Sequence, residues 1–330
     1  MITKKLLILG ATIFALSSCA SRETIHNQTL DYTMLMPSGA PTLPLYYEIL
    51  KEEVEVTTTP TDIPVQFNTG EYDYLVFDST KATNFINKDD AKYSFKMMLT
   101  GGNFHVLGFD KEKDSIPREG EYILSFQKDS TSDKAFKNVF GDIIPATNYF
   151  DAINVLQTHL TTMDENFEIS GTKIDWAVVS EPQRTNLMNI WAKNGIDTSK
   201  IIDIDLQKAF KEHNPTYEFD YIPQAALYVN KEYEAEHPEQ VEKLITRVQE
   251  SVTNVIENPN DVAQAIEESE IGTDTTAQTA QFGFTTEIMK EVQKDGKNGF
   301  GIVPSKDDLD LKFDDGAVKL FNTITTPITN

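Results

Sequence analysis

The residues of this sequence that are suited to chemistry are mostly hydroxyl, amide and small residues, and they fall in short polar loops. Each loop follows a segment with the pattern of a β-strand. The residues are Ser38, Gly39, Ala40 and Thr42 in the first loop, Asp78, Ser79 and Thr80 in the second, Gly101, Gly102 and Asn103 in the third, and, further along, Ser130, Thr131, Ser180 and Glu181. Such groups orient a small polar molecule in a cleft, and open α/β sheets bind ligands beyond the carboxyl ends of their strands. We therefore predict that these loops bind a solute.

Motifs for catalysis and for metal binding are missing from the sequence. The histidines stand far apart, without acidic residues at metal-site spacing; they are His26, His105, His159, His213 and His237. There is no Gly-x-Ser-x-Gly elbow, no Gly-x-Gly-x-x-Gly sequence and no phosphate-binding loop. We therefore predict a protein that is not an enzyme and that has neither metal nor cofactor. For His105, beside the third loop, a structural role is favoured over ligand contact.

The first loop has the clearest local signals. Alternation over residues 32–36 predicts a short buried strand, and Pro37 to Thr42 then breaks it with two prolines around a glycine. Thr42 is expected to be the N-cap of a helix over residues 43–51. Free N–H groups at the start of such a helix would suit a polar or anionic group. An ordinary turn between strand and helix is the alternative.

The remaining strands and helices alternate in βα fashion. Strands are predicted at residues 54–57, 74–77, 93–99, 104–109, 122–126, 174–179, 201–204 and 221–229, and helices at 62–70, 79–86, 133–140, 149–160, 182–191, 238–256, 261–268, 276–282 and 286–292. Ser180 to Pro182 suits a helix cap as well as it suits ligand contact. Trp176 is expected in the core rather than in a stacking role.

One unit of the sequence is repeated about a hundred residues further on. Residues 73–79 align with residues 175–181, and a glycine introduces each copy, Gly70 and Gly171. Such a repeated strand–loop–helix unit predicts two topologically similar lobes. The strands that end near residues 110 and 230 are a second related pair, which we expect to cross out of the first lobe and back into it.

The beginning of the chain has the pattern of an export signal. Two lysines precede an uncharged run over residues 6–16, which is too short to span a bilayer as a mature helix. The run Leu16-Ser17-Ser18-Cys19 is similar to a bacterial lipobox, so residues 1–18 are predicted to be a lipoprotein signal peptide and Cys19, the sole cysteine, the lipidated residue. Residues 19–30 are polar and are expected to form a tether. A free thiol behind an ordinary signal peptide is the alternative.

Charge and length narrow the class of protein further. The formal net charge of −23 argues against nucleic acid or an anionic membrane surface as a partner. A chain of 330 residues is long enough for two domains with their own cores.

Together these features resemble substrate-binding lipoproteins of ABC importers, in the group that binds nitrate, sulfonates, taurine and thiamine precursors. The features are the lipobox, the Pro37–Pro41 loop, residues 70–73 before a strand, and residues 174–182. The resemblance implies an α/β fold of the type II periplasmic-binding-protein kind, in which two doubly wound lobes are joined by two crossover strands. Lobe I would comprise residues 31–108 and 225–330, and lobe II residues 109–224.

The resemblance also implies a mode of action. A monomer anchored outside the cytoplasm would close its lobes over a solute and deliver it to the permease subunits of an ABC transporter. The loops named above match the family's binding loops, and residues 130–132 and 180–181 take the facing positions. The polar loop after Phe126 departs from the family pattern because it lacks the usual glycine.

The nature of the solute follows from the scarcity of arginine. The arginines, Arg22, Arg118, Arg184 and Arg247, all lie outside the candidate loops, although Arg184 is one helical turn from Glu181. This favours a neutral or weakly cationic heteroaromatic solute, such as a pyrimidine or another vitamin precursor, over an oxyanion. The alternatives are a surface-anchored sensor or adhesin and a dehydratase-type enzyme on the same fold. The export signal argues against the enzyme.

Overall fold

The computed structural model describes residues 30–51, 54–143, 147–150, 153–217 and 221–303. The predicted signal peptide, Cys19 and all but the last residue of the predicted tether lie outside these ranges, as do residues 304–330 of the expected lobe I. Within the described part of the chain, no helix has both the length and the apolar character needed to cross a membrane.

Lobe I begins with alternating strands and helices. Its first elements are β1 (Met34–Pro37), a 3-10 helix (Ala40–Leu45), α1 (Tyr46–Ile49), β2 (Glu55–Thr57), a 3-10 helix (Pro60–Asp62), α2 (Ile63–Thr69), β3 (Tyr74–Asp78), α3 (Ser79–Ile86) and β4 (Tyr93–Gly101). Gly70 ends α2 in the left-handed region, with φ 74°, where a residue without Cβ is favoured.

Lobe II follows the same alternation. Its elements are β5 (Phe104–Phe109), β6 (Ile123–Phe126), α4 (Thr131–Phe140), β7 (Thr147–Phe150), α5 (Ile153–Thr161), β8 (Glu168–Ile169), β9 (Thr172–Lys173), β10 (Trp176–Ser180), α6 (Gln183–Lys193), a 3-10 helix (Thr198–Lys200), β11 (Ile201–Asp205) and α7 (Leu206–His213). Trp176 is fully buried, as expected, and its Nε1 donates to Glu121.

The chain then returns to lobe I and becomes helical. The elements are β12 (Pro223–Asn230), α8 (Lys231–Glu236), α9 (Pro238–Glu257), α10 (Pro259–Glu268), α11 (Thr275–Phe282), α12 (Thr286–Val292) and a 3-10 helix (Lys294–Gly296). The long helix α9 buries the apolar stripe that its sequence shows, from Val241 to Val255, against the lobe I core.

The two large sheets of the described residues have the same topology. The lobe I sheet has the order β2-β1-β3-β12-β4, and the lobe II sheet has the order β7-β6-β10-β5-β11. In each sheet the first three strands are parallel, and the strand that comes from the other lobe, β12 or β5, runs antiparallel to its neighbours. This arrangement agrees with the predicted fold class.

The repeated sequence unit is also repeated in its hydrogen bonds. Asp73 Oδ2 accepts from the N–H of Thr33, just before β1, at 2.7 Å, and Asp175 Oδ2 accepts from the N–H of Tyr122, just before β6, at 2.7 Å. The carbonyls of Thr33 and Tyr122 in turn accept from the backbone at the start of β3 and of β10. The aspartates therefore fix the same strand register in both lobes.

Each lobe has its own hydrophobic core. One cluster of buried residues draws only on residues 30–99 and 225–303, and two others, on the two faces of the lobe II sheet, draw on residues 104–222. The exact division of the chain stays a proposal. Because β5 from Phe104 onward pairs within the lobe II sheet, the topology favours a first boundary slightly earlier than residue 108.

Two local expectations are wrong. Thr42 is not a helix N-cap: it lies inside the 3-10 helix that starts after Gly39, and its hydroxyl donates to the Gly39 carbonyl at 2.7 Å. The N–H of Thr42 also donates to the Gly39 carbonyl, at 3.0 Å, so Thr42 belongs to a 3-10 turn, and the α-helix begins only at Tyr46. Tyr149 and Phe150 belong to β7 instead of opening a helix, and pair with Ser125 and Phe126.

Candidate ligand-binding site

A cavity of about 250 Å³ lies between the two lobes. Its wall is formed by the residues that follow β1 and β3 in lobe I and β6 and β10 in lobe II, together with the start of α5 and of β12. The lining residues are Pro37, Ser38, Gly39, Ala40, Pro41, Thr58, Phe77, Asp78, Phe126, Gln127, Ser130, Ile153, Asn154, Gln157, Ser180, Glu181, Pro182, Gln183, Gln224, Ala225, Thr279 and Gly283. The strand ends of both sheets therefore face one partly open cavity.

The first loop lines the cavity, but two of its backbone N–H groups are already hydrogen-bonded to neighbouring segments. The N–H of Ser38 donates to the Thr57 carbonyl at 3.0 Å, and that of Gly39 donates to the Phe282 carbonyl at 2.8 Å. These two amides are therefore not free for a ligand, contrary to the expectation of an open helix N-terminus. The Thr42 side chain is fully buried on Gly39 and Phe282, so it supports this loop from behind and does not line the cavity.

The second loop is divided between the cavity and the contact with lobe II. Asp78 lines the cavity and is the N-cap of α3, with its Oδ1 accepting from the N–H of Lys81 at 2.9 Å. Ser79 and Thr80 are buried outside the lining. The Ser79 hydroxyl donates to the Pro223 carbonyl at 3.2 Å, which ties α3 to β12.

Lobe II contributes Ser130, Ser180 and Glu181 to the wall. Ser130 is the N-cap of α4, and its hydroxyl accepts from the N–H of Asp133 at 3.4 Å. Glu181 precedes α6, and its carboxylate accepts from the N–H of Thr185 at 3.1 Å and from the Thr185 hydroxyl at 2.9 Å. The capping role is therefore present at Glu181, and ligand contact stays a prediction.

The third loop lies in the crossover between the lobes and is not part of the lining. Thr100 and Gly101 belong to β4, and the N–H of Gly102 donates to the Ile222 carbonyl of the returning segment at 3.1 Å. A Cβ on Gly101 would stand 2.5 Å from the Tyr221 ring, so the two crossovers can run side by side only with glycine here. Gly101 and Gly102 therefore lie where the two crossovers meet.

Asn103 links that crossover to the cavity wall. Its carbonyl accepts from the N–H of Glu181 at 2.9 Å, and its Nδ2 donates to the Glu181 carbonyl at 3.2 Å. Asn103 therefore holds the Glu181 backbone in place without lining the cavity itself.

Several amide side chains in the wall were not predicted to contact a ligand. They are Asn154, Gln157, Gln183 and Gln224. Gln127 also lines the wall; it was assigned from the sequence to the polar loop after Phe126 but not to the site. Three of these positions could have been found from the sequence. Gln183 directly follows the Glu181–Pro182 pair that opens α6. Asn154 and Gln157 are three residues apart on α5, so they lie on the same face of that helix. Gln224 reaches the wall only because β12 returns to lobe I, which no local pattern indicates.

The chemical character of the lining is amide and hydroxyl groups on an apolar frame. Phe77, Phe126 and Ile153 supply apolar surface. Among the described lining residues, Asp78 and Glu181 carry the charge, and none is a lysine, arginine or histidine. The described part of the chain also has no cluster of side chains that could hold a metal ion. An anionic solute would therefore meet two carboxylates and no cation.

A small charged network supports Glu181 from behind. Arg184 lies 3.5 Å from Glu181 and donates through Nε to Asp203 at 2.9 Å, and His105 pairs with Asp203 at 2.7 Å. Burial by itself raises the pKa of Asp203, but the hydrogen bond with His105 and the charges of His105 and Arg184 outweigh it and hold that pKa below its usual value. Neither His105 nor Arg184 lines the cavity.

The lobes touch directly around the cavity. The Thr80 and Thr131 hydroxyls are 3.1 Å apart, and the N–H of Thr131 donates to Asp78 at 3.0 Å. Lys81 Nζ donates to Gln127 at 2.9 Å, and, further away, Asn189 donates to Glu291 at 2.8 Å. These bonds join the two lobes directly. Because the Thr80 and Thr131 hydroxyls pair with each other, both residues lie outside the lining.

Comparisons with solved structures show the fold. The ligand-binding component of an ABC-type import system from Staphylococcus aureus, solved with zinc bound, is 10% identical, covers 78% of this chain and 81% of its own, and has a TM-score of 0.53. The periplasmic nitrate-binding protein of Synechocystis is 11% identical, covers 84% of this chain and 74% of its own, and has a TM-score of 0.52.

A Candida albicans protein described as having the generic periplasmic binding protein fold is 11% identical, covers 92% of this chain and 98% of its own, and has a TM-score of 0.50. The chain therefore has the periplasmic-binding-protein fold, which confirms the predicted fold class, and its structural neighbours include substrate-binding proteins of ABC transporters. At these identities the likeness extends to the fold alone. Neither family models nor curated protein sequences gave a match.

Proposed function

We propose that this protein is a solute receptor that binds a small molecule between its lobes and delivers it to the permease subunits of an ABC importer. The observation that carries this proposal is the cavity whose wall comes from the strand ends of both lobes. A ligand held there would bridge the lobes and favour the closed arrangement over an open one. The nitrate-binding and import-system neighbours support the same role.

The residues proposed to touch the solute are those of the predicted site that line the cavity. They are Ser38, Gly39, Ala40, Asp78, Ser130, Ser180 and Glu181. Ser79, Thr80, Thr131, Thr42 and Asn103 are proposed to position this wall, and Gly101 and Gly102 to form the hinge. No step of bond making is assigned to any of them, so the proposed role is binding and not catalysis.

The proposed solute is neutral or weakly cationic. The two carboxylates in the lining, with no lysine, arginine or histidine among the described lining residues, disfavour an anion such as nitrate. A cavity of about 150 Å³ is known to hold benzene, so about 250 Å³ suits a molecule of roughly ten non-hydrogen atoms. A heteroaromatic vitamin precursor would meet both conditions.

The proposed location is outside the cytoplasm, with the chain held at the membrane through a lipid on Cys19. This part of the proposal rests on the signal-like residues 1–18 and the lipobox. A receptor tethered in this way would stay close to its permease, and we propose that it works as a monomer.

A ligand screen on a variant with a filled cavity tests the proposed function. The purified protein is screened by thermal shift against vitamins, vitamin precursors, sulfonates and amino acids, because a ligand at 100 times its dissociation constant stabilises by about 2.7 kcal/mol. Ser38→Trp fills the cavity from the first loop. We expect this variant to lose the ligand-induced shift while the melting temperature of the empty protein stays unchanged.

The control is Val65→Trp, because Val65 is 57% exposed on α2 and lies outside the lining. It should keep the full shift. A Ser38→Trp protein that keeps the shift would contradict the proposed site, and a strong loss of stability in the empty variant would show that Ser38 belongs to a structural loop. If no compound of any class stabilises the unaltered protein, the receptor function itself is wrong.

A further inference from the structure

The side chain of Gln183 is the least satisfied polar group in the cavity wall. Gln183 is the first residue of α6 and is only 2% exposed. Neither Oε1 nor Nε2 has a hydrogen-bond partner within the described part of the chain. A buried amide with both donor and acceptor unpaired is costly, because it has given up its bonds to water and gained none in return.

Other buried glutamines of the described residues do not line the cavity, and each has at least one hydrogen-bond partner. Gln278, also 2% exposed, donates to the Gly272 carbonyl at 2.7 Å and accepts from the N–H of Thr286 at 2.9 Å. Gln293 accepts through Oε1 from the N–H of Gly299 at 2.7 Å, while its Nε2 has no partner among the described residues, so its amide is half paired. The doubly unpaired amide therefore belongs to a residue of the cavity wall, and a bound molecule can pair with it once the flexible Gln183 side chain turns toward the cavity.

We infer that the Gln183 carboxamide is a recognition group for a compact, uncharged or singly cationic solute that presents a hydrogen-bond acceptor and a donor close together. This inference rests on the proposed receptor function and deepens it. The acceptor of the solute would accept a hydrogen bond from Nε2 of Gln183, and the donor of the solute would donate one to Oε1. Asp78 and Glu181 in the same wall tolerate a cationic solute and oppose an anionic one.

The neighbourhood of Gln183 fits recognition of this kind. Pro182 precedes it in the lining, and Glu181 before that is fixed by Thr185 and Asn103, so the start of α6 is held from both sides. A recognition group on a fixed helix start costs little ordering on binding. A solute that lacks donor and acceptor would leave the amide unpaired and bind less tightly, which is how such a site discriminates.

The test compares Gln183→Met with the matched control Gln278→Met. Methionine has nearly the length of glutamine but no amide. In the empty protein we expect Gln183→Met to keep or raise the melting temperature, because it removes an unpaired amide, and Gln278→Met to lower it, because it breaks two hydrogen bonds. A fall for Gln183→Met as large as that for Gln278→Met, or a failure to fold, would overturn the inference.

Binding is measured by calorimetry and thermal shift with small probes that differ in their hydrogen-bonding groups and charge. Nicotinamide and cytosine carry donor and acceptor, toluene carries neither, and nitrate and taurine represent the oxyanion and sulfonate classes. We expect nicotinamide or cytosine to bind more tightly than toluene, with a loss of at least about tenfold in Gln183→Met and no loss in Gln278→Met.

Other outcomes separate the inference from the function. Equal affinity in Gln183→Met and the unaltered protein overturns the role of Gln183. Binding of nitrate or taurine without any binding of the uncharged probes overturns the proposed ligand class and leaves the receptor function standing. Binding of neither these probes nor any compound of the wider screen removes the receptor function and the inference together.

Discussion

At the scale of single residues, two glycines allow the first cavity loop to pack backbone to backbone against the end of α11. Gly39 has φ 108° and Gly283 has φ 78°, both in the region that favours glycine. A Cβ on Gly283 would lie 2.7 Å from the Gly39 nitrogen and 3.0 Å from its Cα. The hydrogen bond from Gly39 to Phe282 needs this approach, so the position of Ser38 in the wall depends on Gly283.

Gly283→Ala should therefore destabilise the protein by about 1–3 kcal/mol, through strain at positive φ and a clash with backbone that cannot move aside. Urea unfolding measures the loss, and the ligand-induced shift should fall with it because Ser38 is displaced. The control is Gly272→Ala, which also has positive φ but whose Cβ would meet nothing closer than 3.9 Å. A loss for Gly283→Ala no greater than that of the control would contradict the close packing.

The site residues at strand ends were predictable, because a strand and the loop that follows it can both be recognised from neighbouring residues in the sequence. Ser38, Asp78 and Ser180 each follow a strand whose pattern is clear in the sequence, and all three line the cavity. Gln224 and Thr279 could not be predicted, because they reach the wall through the return of β12 and the packing of α11, which are tertiary events. Thr80 and Thr131 were included as ligand contacts because one sequence does not indicate which hydroxyls pair across the cleft.

At the scale of elements, a buried ion pair joins α1 to α9. Arg247 Nη1 lies 3.2 and 3.1 Å from the two carboxylate oxygens of Glu48, and the Tyr32 hydroxyl donates to the same carboxylate at 2.6 Å. Both charged side chains are almost fully buried. The short helix α1 depends on this pair to fix it against the long helix, because four residues have little helical stability of their own.

Arg247→Met should cost about 3–5 kcal/mol in the free energy of unfolding, because it leaves the Glu48 carboxylate buried without its cation. The double variant Arg247→Met with Glu48→Gln should recover much of the loss, since no charge then remains buried. Chemical denaturation of the single and double variants measures both effects. A single variant as stable as the unaltered protein would show that the pair does not hold the two helices together.

Element types were largely predictable from hydrophobic period and capping residues. The exceptions have physical causes. The apolar pattern around Tyr149 and Phe150 suits a strand and a helix equally, and pairing with β6 decides for the strand. The N–H and hydroxyl of Thr42 both bond to the Gly39 carbonyl, which holds the segment before α1 as a 3-10 helix. Helix α7 was missed because residues 206–213 are mostly polar outside the buried Leu206 and Phe210.

At the scale of the whole molecule, the internal repeat predicted two lobes of equal topology, and the two large sheets do share one topology. The relative placement of the lobes was beyond the sequence, because it depends on a few contacts between lobes, such as that of Thr131 with Asp78 and that of Lys81 with Gln127. These contacts are few and polar, so solvent can replace them at small cost. A bound solute would therefore decide between open and closed arrangements.

The distance between the lobes tests this account most directly. Cys19 is the sole cysteine of the sequence, so Cys19→Ser with Val65→Cys and Val155→Cys accepts one spin label on exposed α2 of lobe I and one on exposed α5 of lobe II. Double electron–electron resonance is measured without ligand and with the compound that gives the largest thermal shift. The account predicts a broad distribution of distances that narrows to a single shorter distance on binding. An unchanged distribution with the compound bound would contradict it.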